Sequence, residues 1–378
     1  MYQYLIKTPS FRFSGATLAA LLLASLTGCG GSSGSSGGDQ PEPTPPSDTA
    51  SYTEMNATQA DAPVYLDLSS GHSVGETEAW QMAYQKYVGF MVNRGSTGSR
   101  GVTACIAKQY DELYTDGEPN VDAFSALNAQ NTLADFQAVT RESCNDFTTD
   151  AVASQFQDWY TYDMNTHTIT VHDNDSNGWI LRSATDDGNG NYGYTRLKAV
   201  SYDGNGITFN SELWDNNTQT FQPAVSTGAL DFSGGAVFWD METNRHSEAE
   251  MPGWDLKIEK SGYGEKILVN GGASGNGDAG VGSALMVANV DAVTDPTDTN
   301  QVFKYFGDSA SGPMSAPGSY GAFEYGVGGN NHDMWPTFAV YLFQDGERYY
   351  KAQVLSNYGA EGNQTSGSLY VRYQEVFE

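Results

Sequence analysis

The sequence has few basic residues. Lysine and arginine total 18 against 46 acidic residues, and the formal net charge is −28. A chain this acidic repels the phosphate backbone of DNA and RNA, and it repels anionic lipid in the same way. A nucleic-acid partner is therefore excluded, and contact with a membrane is expected only through a lipid anchor.

The sequence also lacks an apolar run long enough to cross a membrane. The longest run, residues 16–26, is about half of the roughly twenty residues that a spanning helix needs. It follows the basic residues Lys7 and Arg12 and ends in Leu-Thr-Gly before Cys29. This order predicts a lipoprotein signal peptide over residues 1–28 and a lipid on Cys29. The alternative is an ordinary cleaved signal with an incidental Cys29.

No acidic residue follows Cys29 directly, which favours the outer membrane, facing either the cell surface or the periplasm. Residues 29–60 are mostly Gly, Ser, Pro, Thr and Asp, a composition that predicts a disordered tether. The remaining length fits two domains.

Motifs of common enzymes are missing from the part beyond the tether. It has no Gly-x-Ser-x-Gly elbow, no His-Glu-x-x-His pair and no phosphate-binding glycine loop with its lysine. The sequence therefore predicts a protein that is not an enzyme.

Only three cysteines are present. With Cys29 lipidated, Cys105 and Cys144 remain in an oxidising compartment, where a pair usually closes. We predict a disulfide between them, with two buried free thiols as the alternative.

The chain repeats itself in two tandem copies, residues 61–222 and 228–378. Residues 64–68, VYLDL, correspond to residues 237–241, VFWDM, and a His-Ser pair and then a Trp follow in both. Late in each copy an aromatic segment leads to a histidine, and an alternating Tyr-rich strand pattern follows.

Short alternating runs of Val, Tyr, Phe and Thr, separated by Gly, Asn and Asp, predict antiparallel strands. A helical period occurs only over residues 121–140, and a shorter counterpart is expected around residues 299–306. The sequence therefore predicts an all-β fold with a few short helices.

The blocks PVYLDLSSG, VNRGSTG, WYTYDMNTHTI and ILRSATDDGNGNYGYTRLKAVSY, in this order, resemble the HmuY family of haem-binding lipoproteins, and the second copy has VNGGASG in place of VNRGSTG. The order is met twice, so the chain looks like two HmuY-like modules. The resemblance implies an all-β fold, capture of haem or a related tetrapyrrole from host or environmental haemoproteins, and delivery to a TonB-dependent outer-membrane receptor for iron acquisition. Gln81 and Arg94 depart from the pattern, which makes the first module the more divergent.

Haem iron is held by axial donors such as imidazole nitrogen or thioether sulfur. Four of the five histidines fall at repeat-equivalent positions, which gives each copy two: His72 and His167, then His246 and His332. A thioether lies near the second histidine of each copy, at Met164 and Met334. Bis-histidine and His/Met ligation both stay open, as does a structural role for each histidine.

Aromatic side chains near these histidines are candidates for the walls of a haem pocket. They are Trp159, Tyr160, Tyr162, Phe323, Tyr325 and Trp335. Aromatics at alternate strand positions are also common in cores.

Two further interpretations remain open. Residues 172–178, HDNDSNG, and residues 184–193, ATDDGNGNYG, carry Asp and Asn oxygens that can hold a structural Ca²⁺, although they are equally typical of hairpin loops. Tandem β modules on a tether also fit a surface adhesion or glycan-binding protein without haem.

Overall fold

The computed structural model describes residues 50–262, 264–283, 285–329 and 332–377. The predicted signal peptide, Cys29 and most of the predicted tether lie outside the described residues. Strands dominate what is described, and the only α-helices there are α1 (Val121–Ala126) and α2 (Leu133–Ala138). The predicted all-β fold is confirmed.

The strands range from two to eleven residues, and they pair in antiparallel sheets. In chain order they are β1 (Ser51–Asn56), β2 (Val64–Asp67), β3 (His72–Val74), β4 (Met82–Gln85), β5 (Gly89–Val92), β6 (Thr103–Lys108), β7 (Tyr114–Thr115), β8 (Glu118–Pro119), β9 (Ala151–Ala153), β10 (Tyr160–Asp163), β11 (Thr168–Val171), β12 (Trp179–Asp186), β13 (Tyr192–Tyr202), β14 (Gly206–Asp215), β15 (Thr220–Phe221), β16 (Val225–Asp231), β17 (Val237–Asp240), β18 (Arg245–Ser247), β19 (Leu256–Ser261), β20 (Gly264–Val269), β21 (Gly280–Val281), β22 (Ser309–Ser311), β23 (Phe323–Tyr325), β24 (Met334–Pro336), β25 (Val340–Asp345), β26 (Arg348–Ser356) and β27 (Ser368–Val376).

One sheet joins the two ends of the described chain. Its order is β1-β27-β26-β25-β6. A second sheet, β3-β2-β4-β5, contributes to the same hydrophobic core. We call residues 50–108 together with residues 309–377 the terminal lobe.

The middle of the chain repeats this plan. The larger sheet runs β15-β14-β13-β12-β21, with β16 also paired to β14, and the smaller sheet is β18-β17-β19-β20. Alternate residues Thr195, Leu197 and Ala199 of β13 are buried, as the period of a one-sided strand requires. We call residues 151–283 the central lobe.

Each lobe combines the early strands of one sequence copy with the late strands of the other. In the terminal lobe β2 to β6 come from the first copy and β25 to β27 from the second. In the central lobe β12 to β14 come from the first copy and β17 to β21 from the second. The two copies have therefore exchanged halves, and all described residues belong to one compact unit.

The hydrophobic cores follow the lobes rather than the copies. One core packs Leu66 and Phe90 of the first copy against Tyr341 and Leu369 of the second. The other packs Trp179 and Phe209 against residues of β17 to β21. Burial of these side chains is the main favourable term in folding, so the exchanged pairing is what stabilises each lobe.

The two lobes meet at a short antiparallel pair between equivalent strands. In this pair β9 lies against β22, with Val152 opposite Ala310. A separate apolar cluster, which includes Trp80 and Leu268, packs around this pair. The meeting point thus relates the two lobes by an approximate twofold axis.

Two expectations from the sequence are wrong. The tether was expected to extend to residue 60, but Ser51–Asn56 forms β1, which pairs with β27 and buries Met55. Composition did not indicate this strand, because its backbone hydrogen bonds are made with β27, which is distant in sequence. Residues 299–306 contain no helix; the nearest helical element in the described chain is a single 3₁₀ turn at Val290–Ala292.

Cys105 and Cys144 form the predicted disulfide, with Cα atoms 6.5 Å apart. Cys105 lies in β6, and Cys144 lies in the segment that covers the outer face of the terminal sheet through Phe136 and Val139. The bond therefore links β6, the edge strand of the terminal sheet, to the segment that covers the outer face of that sheet. None of the described helices is long and apolar enough to cross a membrane.

Candidate functional site

The hairpin of β10 and β11 carries a tyrosine and a histidine in contact. Tyr162 lies in β10, and its hydroxyl is 2.8 Å from Nδ1 of His167 in the turn. The turn is held by Asp163, whose carboxylate accepts backbone N–H bonds from Asn165 and Thr166.

His167 has a φ of 55°, in the left-handed region. The same Asp-initiated turn recurs three times in the described residues, with Gln219 at φ 53°, Asn244 at φ 51° and Gly71 at φ 73° in the equivalent place. The turn therefore accepts glycine or any of several polar residues. Of these four turns, the one that carries a histidine is the one in which a tyrosine precedes the aspartate.

The terminal lobe brings the same two groups together from a different loop. Tyr325 ends β23, and its hydroxyl is 2.5 Å from Nδ1 of His332. The connection from β23 to β24 is longer and rich in glycine, with positive φ at Gly326, Gly328 and Gly329. Two unlike loops thus place an imidazole nitrogen against equivalent tyrosines.

The two pairs are alike in geometry. The ring centroids are 6.2 Å apart in the central lobe and 6.0 Å apart in the terminal lobe, and both pairs are tilted. Each hydrogen bond fixes one ring nitrogen and leaves Nε2 without a partner among the described residues. We call these the two Tyr–His sites.

Both sites lie at the surface beside other apolar groups. Tyr162 and Tyr325 are 45% and 43% exposed, and Met164 beside the first pair is 74% exposed. Tyr320 lies 6.0 Å from Tyr325 between ring centroids and is also exposed. Exposed apolar side chains at equivalent places suggest a binding surface.

The other candidate histidines lie on edge strands. His72 is in β3 and His246 is in β18, at equivalent positions, and both are exposed. The two histidines of one sequence copy fall in different lobes, since His72 is in the terminal lobe and His167 in the central lobe. Each lobe therefore combines histidines of both copies.

Several of the aromatics expected to wall a pocket belong to the cores instead. Trp159 and Phe323 are fully buried in the two main cores, which is incompatible with contact to an entering ligand. Trp335 packs edge-on against Phe124 of α1 in a separate apolar cluster. The sequence pattern could not show which of these rings would be covered.

Two more candidates are committed to contacts within the protein. The hydroxyl of Tyr160 donates to Glu265, and Met334 packs on the terminal core. Of the predicted pocket residues, Tyr162 and Tyr325 remain accessible.

Two adjoining cavities, with volumes of about 200 and 320 Å³, lie beside the loop after β11. Both are lined by His172, Asp173, Asn177 and Lys198. The first is mainly polar and the second has polar and apolar parts, so neither is the aromatic-lined apolar slot expected for haem. His172 bonds Thr161 and Ser176 through its two ring nitrogens, so it is held within the protein.

The two loops suggested for Ca²⁺ use their oxygens locally. In residues 184–193 the carboxylates of Asp186 and Asp187 accept backbone N–H bonds of the turn, and in residues 172–178 Asn174 accepts from Ser176. A different acidic group, Asp240 with Glu242 and Asp255, has carboxylate oxygens within 4.8 Å of one another. Asp255 already accepts backbone N–H bonds from Ala184 and Met241, so this group serves the fold.

No protein-family model matches this chain, and no curated protein sequence matches it. The resemblance to the HmuY family therefore stays a prediction.

Three buried carboxyl groups make the stability of the chain depend on pH. Burial raises the pKa of Asp255 to about 7, and it raises the pKa values of Asp150 and Asp308 to about 6. Between about pH 4 and pH 7 the folded chain holds protons that the unfolded chain releases, so stability falls as pH rises through this window. We expect a free energy of unfolding at least about 2 kcal/mol larger at pH 5 than at pH 8, measured by urea denaturation.

Asp150→Asn is the matched control for this prediction. Oδ2 of Asp150 accepts a hydrogen bond from the backbone N–H of Val92, but Oδ1 has no partner. At the equivalent Asp308, Oδ1 accepts a hydrogen bond from the backbone N–H of Gln155. Pro313 occupies the position equivalent to Gln155 and has no N–H to donate to Asp150. The variant keeps the bonded oxygen and should be more stable than the wild type at pH 8 and no more stable at pH 5. An equal effect at both pH values would contradict the assignment.

Proposed function

We propose that the protein captures haem at the bacterial surface or in the periplasm, through one Tyr–His site on each lobe. The observation that carries this proposal is that unlike loops in the two lobes bring an imidazole onto an equivalent, exposed tyrosine. Phenol oxygen and imidazole nitrogen are both axial ligands of haem iron. The exposed methionine and tyrosine beside the pairs provide apolar surface for the porphyrin face.

An open site suits capture followed by transfer. A haem held at a hairpin tip keeps much of its ring accessible to a second protein, which agrees with delivery to a TonB-dependent receptor. The lipid predicted on Cys29 would keep the carrier at the outer membrane. We propose this delivery and this anchoring together with the haem site.

A second candidate function is glycan binding. The observation that favours it is the pair of polar cavities, whose Asp, Asn and Lys side chains can hydrogen-bond sugar hydroxyls, together with exposed tyrosines that can stack on sugar rings. Retention on a polysaccharide column without haem binding would favour this alternative.

Titration of the mature protein lacking Cys29 with ferric haem tests the main proposal. We expect a Soret band that shifts and sharpens on binding and saturates at two equivalents. The quadruple variant Tyr162→Phe, His167→Ala, Tyr325→Phe, His332→Ala should leave the spectrum of free haem while the far-ultraviolet circular dichroism is unchanged. Binding that persists in this variant would place haem elsewhere.

A further inference from the structure

We infer that three basic residues around an exposed tyrosine, Lys86, Arg182 and Lys304 beside Tyr87, bind an oligosaccharide that carries carboxylate or sulfate groups. We call the three basic residues the basic cluster. It lies where the turn between β4 and β5 meets the segment of residues 302–306 and strand β12. The inference does not depend on the haem proposal, and the basic cluster shares no residue with the lining of the two cavities.

The first support is that like charges are brought together without a carboxylate to neutralise them. Burial lowers the pKa of the Lys304 ammonium, and the positive charges of Lys86 and Arg182 lower it further. Lys86 and Arg182 donate to backbone carbonyl oxygens, which carry no net charge. The ion pairs within the described residues are made by other basic side chains, namely Arg100, Arg196, Lys198, Lys257 and Arg348. A bound anion would offset the repulsion within the basic cluster.

The second support is the aromatic ring at the centre of the cluster. Nζ of Lys304 lies 3.7 Å from the ring centroid of Tyr87, and Nζ of Lys86 lies 5.7 Å from it. The guanidinium of Arg182 lies 4.7 Å from the ring centroid of Tyr192. These cation–π contacts position the positive groups. Tyr87 is 49% exposed, so its ring can also pack against the C–H face of a sugar ring.

The third support is the backbone of Tyr87. Its φ is 70°, in the left-handed region, which is unfavourable for a bulky side chain. In the corresponding hairpin of the central lobe, between β19 and β20, Gly262 takes the positive φ at 61° without this cost. An exposed tyrosine kept where glycine would serve indicates a role for its ring beyond folding.

The basic cluster is also confined to one side of the approximate twofold axis. Phe306 pairs with β21, and Thr148 pairs with the equivalent strand β6. Two residues before them stand Lys304 and Asp146, so the position that is basic in the cluster is acidic at the equivalent place. The repeated fold therefore does not require the lysine, and we expect one such site per chain.

The kind of anion follows from the groups that the cluster offers. Its positive groups are side chains arranged around aromatic rings, whereas phosphate sites commonly use backbone N–H groups at a helix N-terminus or in a glycine loop. A nucleic acid needs an extended positive surface, and the remainder of this chain, with a net charge of −28, would repel it. A short segment of an acidic sugar chain matches both the small number of cations and the exposed ring.

Isothermal titration calorimetry of the mature protein lacking Cys29 tests this inference. The probes are a short oligogalacturonate, the same oligosaccharide with its carboxylates methyl-esterified, and a sulfated oligosaccharide derived from heparin. We expect binding of at least one acidic probe and none of the neutral ester. Which acidic probe binds more tightly distinguishes a carboxylate ligand from a sulfate ligand.

Two variants of the site and one control assign the binding to the basic cluster. Lys86→Gln/Lys304→Gln should lower the affinity for the acidic probe at least about fivefold. Tyr87→Gly should also lower it while the chain still folds, because glycine accepts the positive φ. Lys257→Gln/Lys260→Gln removes the same charge on β19, where Lys257 pairs with Glu259 and Lys260 is exposed, and should leave the affinity unchanged.

Three results would overturn the inference. They are equal affinity for the acidic and the esterified probe, unchanged affinity in either site variant, and no binding of either acidic probe to the wild type. Each of them leaves the proposed haem sites untouched, since Tyr162, His167, Tyr325 and His332 lie outside the basic cluster.

Discussion

A fragment of residues 151–308 is expected to fold by itself as a monomer. It contains every strand of the central lobe, from β9 to β21, and the segment that covers its sheet through Val290, Val293 and Val302. Its core is formed entirely within the fragment. We expect a cooperative urea transition and a monomer by size-exclusion chromatography with light scattering.

The first sequence copy is expected to behave differently. A fragment of residues 50–222 holds the early strands of the terminal lobe and the late strands of the central lobe, and each half lacks the partner against which it packs in the whole chain. Because the copies are equivalent, two such fragments can supply each other's missing halves by reciprocal exchange. We therefore predict a dimer of residues 50–222.

Comparing the stability and oligomeric state of the two fragments tests the exchange of halves. A stable monomer of residues 50–222 with the stability of the central fragment would mean that a copy closes on itself and that the exchanged pairing is not fixed by the connecting segments. An unfolded central fragment would contradict the assignment of its core.

Removal of the disulfide is expected to lower the free energy of unfolding by several kcal/mol. The bond closes a loop with a sequence separation of 39 residues, and the chain-entropy model assigns about 4 kcal/mol to a loop of this size. Cys105→Ala/Cys144→Ala, in a chain that already lacks Cys29, should lose about this much in urea denaturation, and the unmutated pair under reducing conditions should lose the same. The central lobe has no equivalent bond in its described residues, so its isolated fragment is the control and should not respond to reductant. A loss below about 1 kcal/mol would show that packing of Phe136 and Val139 alone holds the cover.

Much of the fold could be predicted from local patterns. The alternation of apolar residues predicted strands such as β13, and the block order indicated the repeat. The predicted export signal led us to expect an oxidising compartment, and from it the pairing of Cys105 with Cys144. These features depend on neighbours in sequence or on composition. The exchange of halves could not be predicted, because two equivalent copies offer the same hydrophobic surface to either partner and only the path of the connecting segments distinguishes them.

The candidate site could be predicted only in part, because sequence patterns do not reveal contacts that form in the folded chain. Repetition correctly singled out His167 and His332 as equivalent, but it could not reveal the bond from each imidazole to a strand tyrosine, which depends on the turn geometry. Trp159 and Phe323 share the aromatic character of Tyr162 and Tyr325, yet they face the cores. A signal was present in the sequence, since a Tyr precedes each of these histidines by five and seven residues.

We propose one haem site on each lobe. Native mass spectrometry of the mature protein lacking Cys29, after incubation with ferric haem, measures this directly. We predict two haems per chain, and one haem per chain in either Tyr162→Phe/His167→Ala or Tyr325→Phe/His332→Ala. A stoichiometry of zero in the wild type, or of two in both variants, would contradict the account.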